Sequence, residues 1–161
     1  MLWSAGTRGY FMNKQTILEQ VRWELGCLER LEYLARELYA VPEAARRPWD
    51  AAAAAKYISD MFRGLENLCK RKSRYLSEPF PEGPDSHAQI LKDFLGPEGP
   101  GHTLDPEIVH RLRLYKGFRH RFIHGYGFEL DWEVVEEPLR LLPETIDALR
   151  VTWNLWLDSL P

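Results

Sequence analysis

The sequence predicts an all-α protein: a bundle of four amphipathic helices, with a fifth, short helix inside a long crossover. Three observations carry this. Apolar residues recur at spacings of three and four along four long segments, and no segment alternates with the period of two that a strand requires. Residues 79–106 hold six of the eleven prolines and four glycines, which makes that stretch a connector. The 161 residues suit one domain, and 45% apolar with 28% charged residues is the balance of a folded globular chain. No apolar run approaches the ~20 residues that a membrane span needs. The first residues lack the ~7–15-residue apolar core of a secretory signal, so a cytoplasmic protein is expected. Residues 1–12 read as an N-terminal extension, because Met12-Asn13-Lys14 offers a second start just before the first helical pattern. Residues 13–161 are then a single helical domain.

The first helix should run from Lys14 to Tyr39, with the stripe Leu18, Val21, Leu25, Leu28, Leu31 and Leu38 and a stop at Pro42. The second begins near Trp49–Asp50, ahead of five alanines, carries Tyr57, Met61, Leu65, Leu68 and Tyr75, and fades before Pro79. A short helix over Ser86–Leu95 has Asp85 or Ser86 as its cap. The third starts where Asp105 can cap, Pro106 suits the first helical position and Glu107 sits in the first turn. The fourth follows Asp131 with the most regular stripe in the chain: Val135, Leu139, Leu142, Ile146, Leu149, Trp153, Trp156 and Leu160. Pro138 and Pro143 lie inside it and predict a kink or a break. Cys27 and Cys69 form no CxxC and no Cys/His cluster, and both read as buried free thiols.

Charge is unevenly placed. The net charge is −3, yet residues 108–128 contain no acid while holding Arg111, Arg113, Lys116, Arg119 and Arg121 with His110, His120 and His124. Residues 129–161 reverse the sign, with eight acids against Arg140 and Arg150. A second basic cluster, Lys70-Arg71-Lys72-Ser73-Arg74, suits the C-terminal end of a helix electrostatically. The stripe of the third helix, extended, is Ile108, Leu112, Tyr115, Arg119, Phe122 and Tyr126. It puts Arg119 on the seam, where a guanidinium needs an acid on a facing helix, such as Asp60 or Glu66, or a ligand. His124 lies about 140° round an ideal helix from Arg119, so two subunits pooling their residues is one way to bring them together. His120 and His124 share a face at a metal-ligand spacing. With no HExxH and no third ligand nearby, no metal is expected.

These residues carry a resemblance. The run Gly117-Phe118-Arg119-His120-Arg121-Phe122-Ile123-His124-Gly125-Tyr126-Gly127-Phe128-Glu129-Leu130-Asp131 resembles the RxxxxHxY signature of the HEPN superfamily, and most closely its HepT-like ribonuclease domains. The helix count, the motif's position before the last helix and the Ser86-His87 start of the connector helix also fit. His120 stands where the family commonly has Asn, and Tyr126 is flanked by two glycines. The resemblance implies a HEPN-like four- to five-helix bundle and a metal-independent endoribonuclease toxin that needs no cofactor. Its implied antitoxin is a minimal nucleotidyltransferase (MNT). It also implies roles. His124 acts as general base or acid, Arg119 clamps the phosphate and His120 supports either. Arg113, Lys116, Arg121 and Tyr126 contact RNA, and Tyr126 is a site for AMPylation by the antitoxin.

Those assignments suit the chemistry. Histidine can take the 2′-OH proton, and arginine can hold a phosphorane bidentately. A homodimer with the third helices near its axis, and with Tyr115, Phe118 and Phe122 lining the contact, would assemble the cleft. The alternative from another functional class is a non-catalytic HEPN module that docks a nucleotidyltransferase or another defence effector.

Overall fold

The computed structural model describes residues 12–123 and 130–161, among which there are five α-helices and no strand. They are α1 (Lys14–Tyr39), α2 (Asp50–Leu76), α3 (Ser86–Leu95), α4 (Pro106–Ile123) and α5 (Trp132–Asp158), with a 3₁₀ turn at Glu43–Ala45. α2 is central and packs against all four others; α1 also lies on α5, and α4 lies on both α3 and α5. None of these helices is long and apolar enough to cross a membrane.

Local chemistry sets the helix ends. The Asn13 side chain accepts from the Thr16 amide at 2.8 Å and starts α1. Buried Asp50 folds back on the chain before α2, accepting from the Arg47 amide at 2.9 Å and from its guanidinium at 3.1 Å. α2 closes on Ser77 in the left-handed conformation (φ 55°), which lets the Glu78 amide reach the Ser73 carbonyl at 2.8 Å. Asp105 caps α4 as expected, its carboxylate accepting from the Glu107 amide at 2.8 Å. α3 differs: Asp85 precedes it, but no side chain caps it.

Tertiary packing corrects the rest. α5 is one unbroken helix through Pro138 and Pro143. Each proline removes one ladder donor, but Val135, Leu139, Leu142 and Ile146 around them are fully buried and hold the line of the helix. Near the gaps, the Tyr115 hydroxyl donates to the Pro138 carbonyl at 3.0 Å and Thr145 Oγ1 donates to the Leu141 carbonyl at 2.9 Å.

The core face of α1 is wider than the stripe read from sequence. Ile17 and Ala35 are buried on it while Leu18 is only half-buried, and on α2 Ile58 is buried where Tyr57 is half-buried. Small residues bring α2 close: a Cβ on Gly64 would stand 2.7 Å from Leu28 Cδ2. Only one cysteine is buried. Cys69 lies in the core, where burial pushes its thiol up to about 12, whereas Cys27 sits on the outer side of α1 and is exposed.

Candidate functional site in the groove between α3 and α4

Three ionisable side chains from three helices meet at one atom. Arg119 on α4 donates through Nη1 to Glu66 Oε1 on α2 at 2.5 Å, and His87 Nδ1 on α3 lies 2.7 Å from that same oxygen. Glu66 is one of the two acids that could face the seam; the other, Asp60, pairs instead with Lys56 one turn away. Ile108, Leu112 and Tyr115 bury the first turns of α4 against α2 and α5, so the next residue on that side, Arg119, must also point inward. Its side chain is 19% exposed and that of Glu66 is 14%, so the charges offset one another in a place with little water. An ionised carboxylate only accepts hydrogen bonds, so the proton in the histidine contact belongs to Nδ1, and Nε2 is the nitrogen left to other partners.

A groove lies between α3 and α4. Ala88, Leu91 and Leu95 line one wall, and Lys92, Arg113 and Lys116 supply cations around a space of about 400 Å³. His87 adjoins Ala88, and Arg119 lies one turn beyond Lys116, so the groove runs toward the Arg119–Glu66–His87 cluster. An open cleft of this sign attracts a polyanion's backbone without reading its sequence.

Other members of the basic tract are placed differently. Arg111 is buried at 6% exposure, clamped by Glu107 and Glu144 at 2.7 Å each, and so ties α4 to α5 rather than facing a ligand. Tyr115 is 2% exposed and packed inside its own bundle, which removes it from any contact between subunits. Burial also pushes its hydroxyl up to about 12, so it remains a hydrogen-bond donor at any ordinary pH. Phe118 is half-buried against the core. In the earlier basic cluster, Arg71 reaches back to the buried Glu24 at 3.1 Å and Lys72 pairs with Glu78 at 3.5 Å; these charges belong to the fold. His120, Arg121 and Phe122 belong to the helical backbone of α4, but their side chains lie outside the described part. His124 and Tyr126 lie outside the described residues altogether. Among the described residues no group of three or more His, Cys, Asp or Glu could hold a metal ion.

His87 is the member of the cluster that residue patterns did not single out. Its signal was indirect: it opens the connector helix in the Ser86-His87 pair, with no spacing to relate it to Arg119, 32 positions on.

No curated protein and no solved structure matches the chain. A family model described as HepT-like protein matches residues 53–160, which takes in most of α2, the connector with α3, all of α4 and α5, and the Arg119-to-Tyr126 segment. The chain therefore belongs to the HepT-like family of the HEPN superfamily.

Proposed function

We propose that this protein is a metal-independent endoribonuclease toxin, held in check by a nucleotidyltransferase antitoxin of the MNT type. One observation carries the reading: Arg119, one helical turn past Lys116 in the wall of a cationic groove, is held by a carboxylate that uses only Nη1. A guanidinium has four further N–H donors and can meet a phosphate while keeping that partner. RNA lies along Lys92, Arg113 and Lys116, and Arg121 and Tyr126 also contact it. His124 takes the proton of the 2′-OH, the 2′-oxygen attacks phosphorus, and Arg119 stabilises the negative charge that gathers on the phosphorane. His120 supports the two by hydrogen bonding. The expected result is cleavage of RNA in the presence of EDTA, abolished in His124→Ala with helical circular dichroism unchanged. Cleavage by the wild type that stops on adding EDTA overturns the metal-independent mechanism.

The cleft is shared by two subunits, with α4 near the two-fold axis and Phe118 and Phe122 between them. A dimer by light scattering at micromolar concentration is expected; a fully active monomer contradicts it. The antitoxin acts on Tyr126. Each AMP it transfers adds a bulky phosphodiester anion to a cleft that attracts RNA phosphates, so substrate is both blocked and repelled. Co-expression with a neighbouring nucleotidyltransferase should add one or more AMP masses that vanish in Tyr126→Phe. An unmodified mass with toxicity still neutralised means inhibition by docking.

A second reading has its own observation. The Arg119–Glu66 pair by itself ties α4 to α2, as a non-catalytic module that docks a nucleotidyltransferase or another effector would require. In that case the purified wild type leaves RNA intact.

A further inference from the structure

Cleaving RNA through its 2′-OH needs two proton transfers: one away from the nucleophile and one toward the departing 5′-oxygen. The RxxxxHxY segment offers His124 for one of them. A second imidazole shares a carboxylate with Arg119. His87 Nδ1 is fixed at 2.7 Å on Glu66 Oε1, the oxygen that also holds Arg119. The ring is 43% exposed while Glu66 is 14% exposed, so it is the part of this pair that is open to an incoming ligand. A carboxylate behind one ring nitrogen sets the orientation of the other. Arg119 and His87 are thus positioned by a single atom, which keeps the phosphate clamp and the imidazole in register.

We propose that His87 is the general acid of the reaction, which rests on the ribonuclease reading above. His124 removes the 2′-OH proton as the bond from the 2′-oxygen to phosphorus forms. The bond from phosphorus to the 5′-oxygen breaks, its electron pair goes to that oxygen, and His87 Nε2 delivers a proton there. The products are a 2′,3′-cyclic phosphate and a 5′-hydroxyl. His124 leaves protonated and His87 neutral, and exchange with water restores both. The Nδ1 proton stays on His87 throughout, donated to Glu66, which is a positioning residue.

The test uses the full-length protein and an RNA oligonucleotide carrying the site that the wild type cuts, made with either oxygen or sulfur as the bridging 5′ atom. A thiolate leaves without protonation, so the sulfur substrate does not need a general acid. His87→Ala and His87→Asn are compared with wild type; the Asn amide can still donate to Glu66 but has no proton to give. Both variants should lose about 10²–10⁴-fold in rate on the oxygen substrate and stay within about tenfold of wild type on the sulfur substrate. Equal losses on the two substrates, full activity in His87→Asn, or no loss in either variant overturns the assignment. A wild type that cuts no RNA overturns the ribonuclease reading itself, which is a different outcome.

Discussion

If the protein is the ribonuclease proposed above, replacing Arg119 by alanine should lower RNA cleavage by about 10²–10³-fold, the scale of losing one well-placed donor to a developing oxyanion. The same change leaves Glu66, at 14% exposure, with His87 as its one remaining partner in the cluster, and costs about 1–3 kcal/mol of stability. The two effects separate in the double variant Arg119→Ala/Glu66→Gln. Neutralising the carboxylate that has lost its guanidinium recovers stability, as measured by urea unfolding, but returns no activity. Arg119→Lys recovers only part of the activity, because an ammonium lacks the planar fork that serves a carboxylate and a phosphate together. If activity instead follows stability through this series, Arg119 is a strut between α4 and α2 and nothing more.

The largest loss of stability is expected at Trp153. This side chain is fully buried on α5, stacked on Phe94 of α3 with ring centroids 5.8 Å apart and edge-on to Trp156 at 5.5 Å. Trp153→Ala should cost about 3–5 kcal/mol, read as a lower midpoint in urea at unchanged slope. Trp153→Phe should cost much less, because the indole Nε1 is buried without a hydrogen-bond partner and its removal relieves that penalty. The consequence reaches the site. α3 carries His87 and is anchored through Ile90, Leu91 and Phe94, so a hole beneath Phe94 loosens the helix that presents the imidazole. Trp153→Ala should therefore lower cleavage even where the protein is still folded, and a fully active, folded variant contradicts that coupling.

How far the sequence could be read depended on whether a feature was local. α1 from Lys14 to Tyr39 ends where its cap, Pro42 and periodicity place it, and α3 spans Ser86 to Leu95 as its apolar pattern predicts, because those signals act within a few residues. The unbroken path of α5 was not legible. Two prolines argue for a break, and only the burial of Leu139, Leu142 and Ile146 against α1 and α2 overrides them. Arg111 shows the same limit. It looks like one more cation in a basic run, yet Glu144, 33 positions away, takes it out of play. Half of the site was legible, because a seam position occupied by Arg119 demands a counter-charge and Glu66 lies on the facing helix. His87 was not, because no periodic pattern links a connector helix to the end of α4; only the three-dimensional crossing of α2, α3 and α4 brings the groups together.

The central claim is that RNA is cut through its own 2′-OH without a metal. The most direct measurement is the chemistry of the ends left by a digest in EDTA. The account predicts a 2′,3′-cyclic phosphate on one fragment and a 5′-hydroxyl on the other, with no cutting where the ribose before the site is 2′-deoxy. Fragments bearing 5′-phosphate and 3′-hydroxyl ends, formed equally from the deoxy-substituted strand, would contradict it.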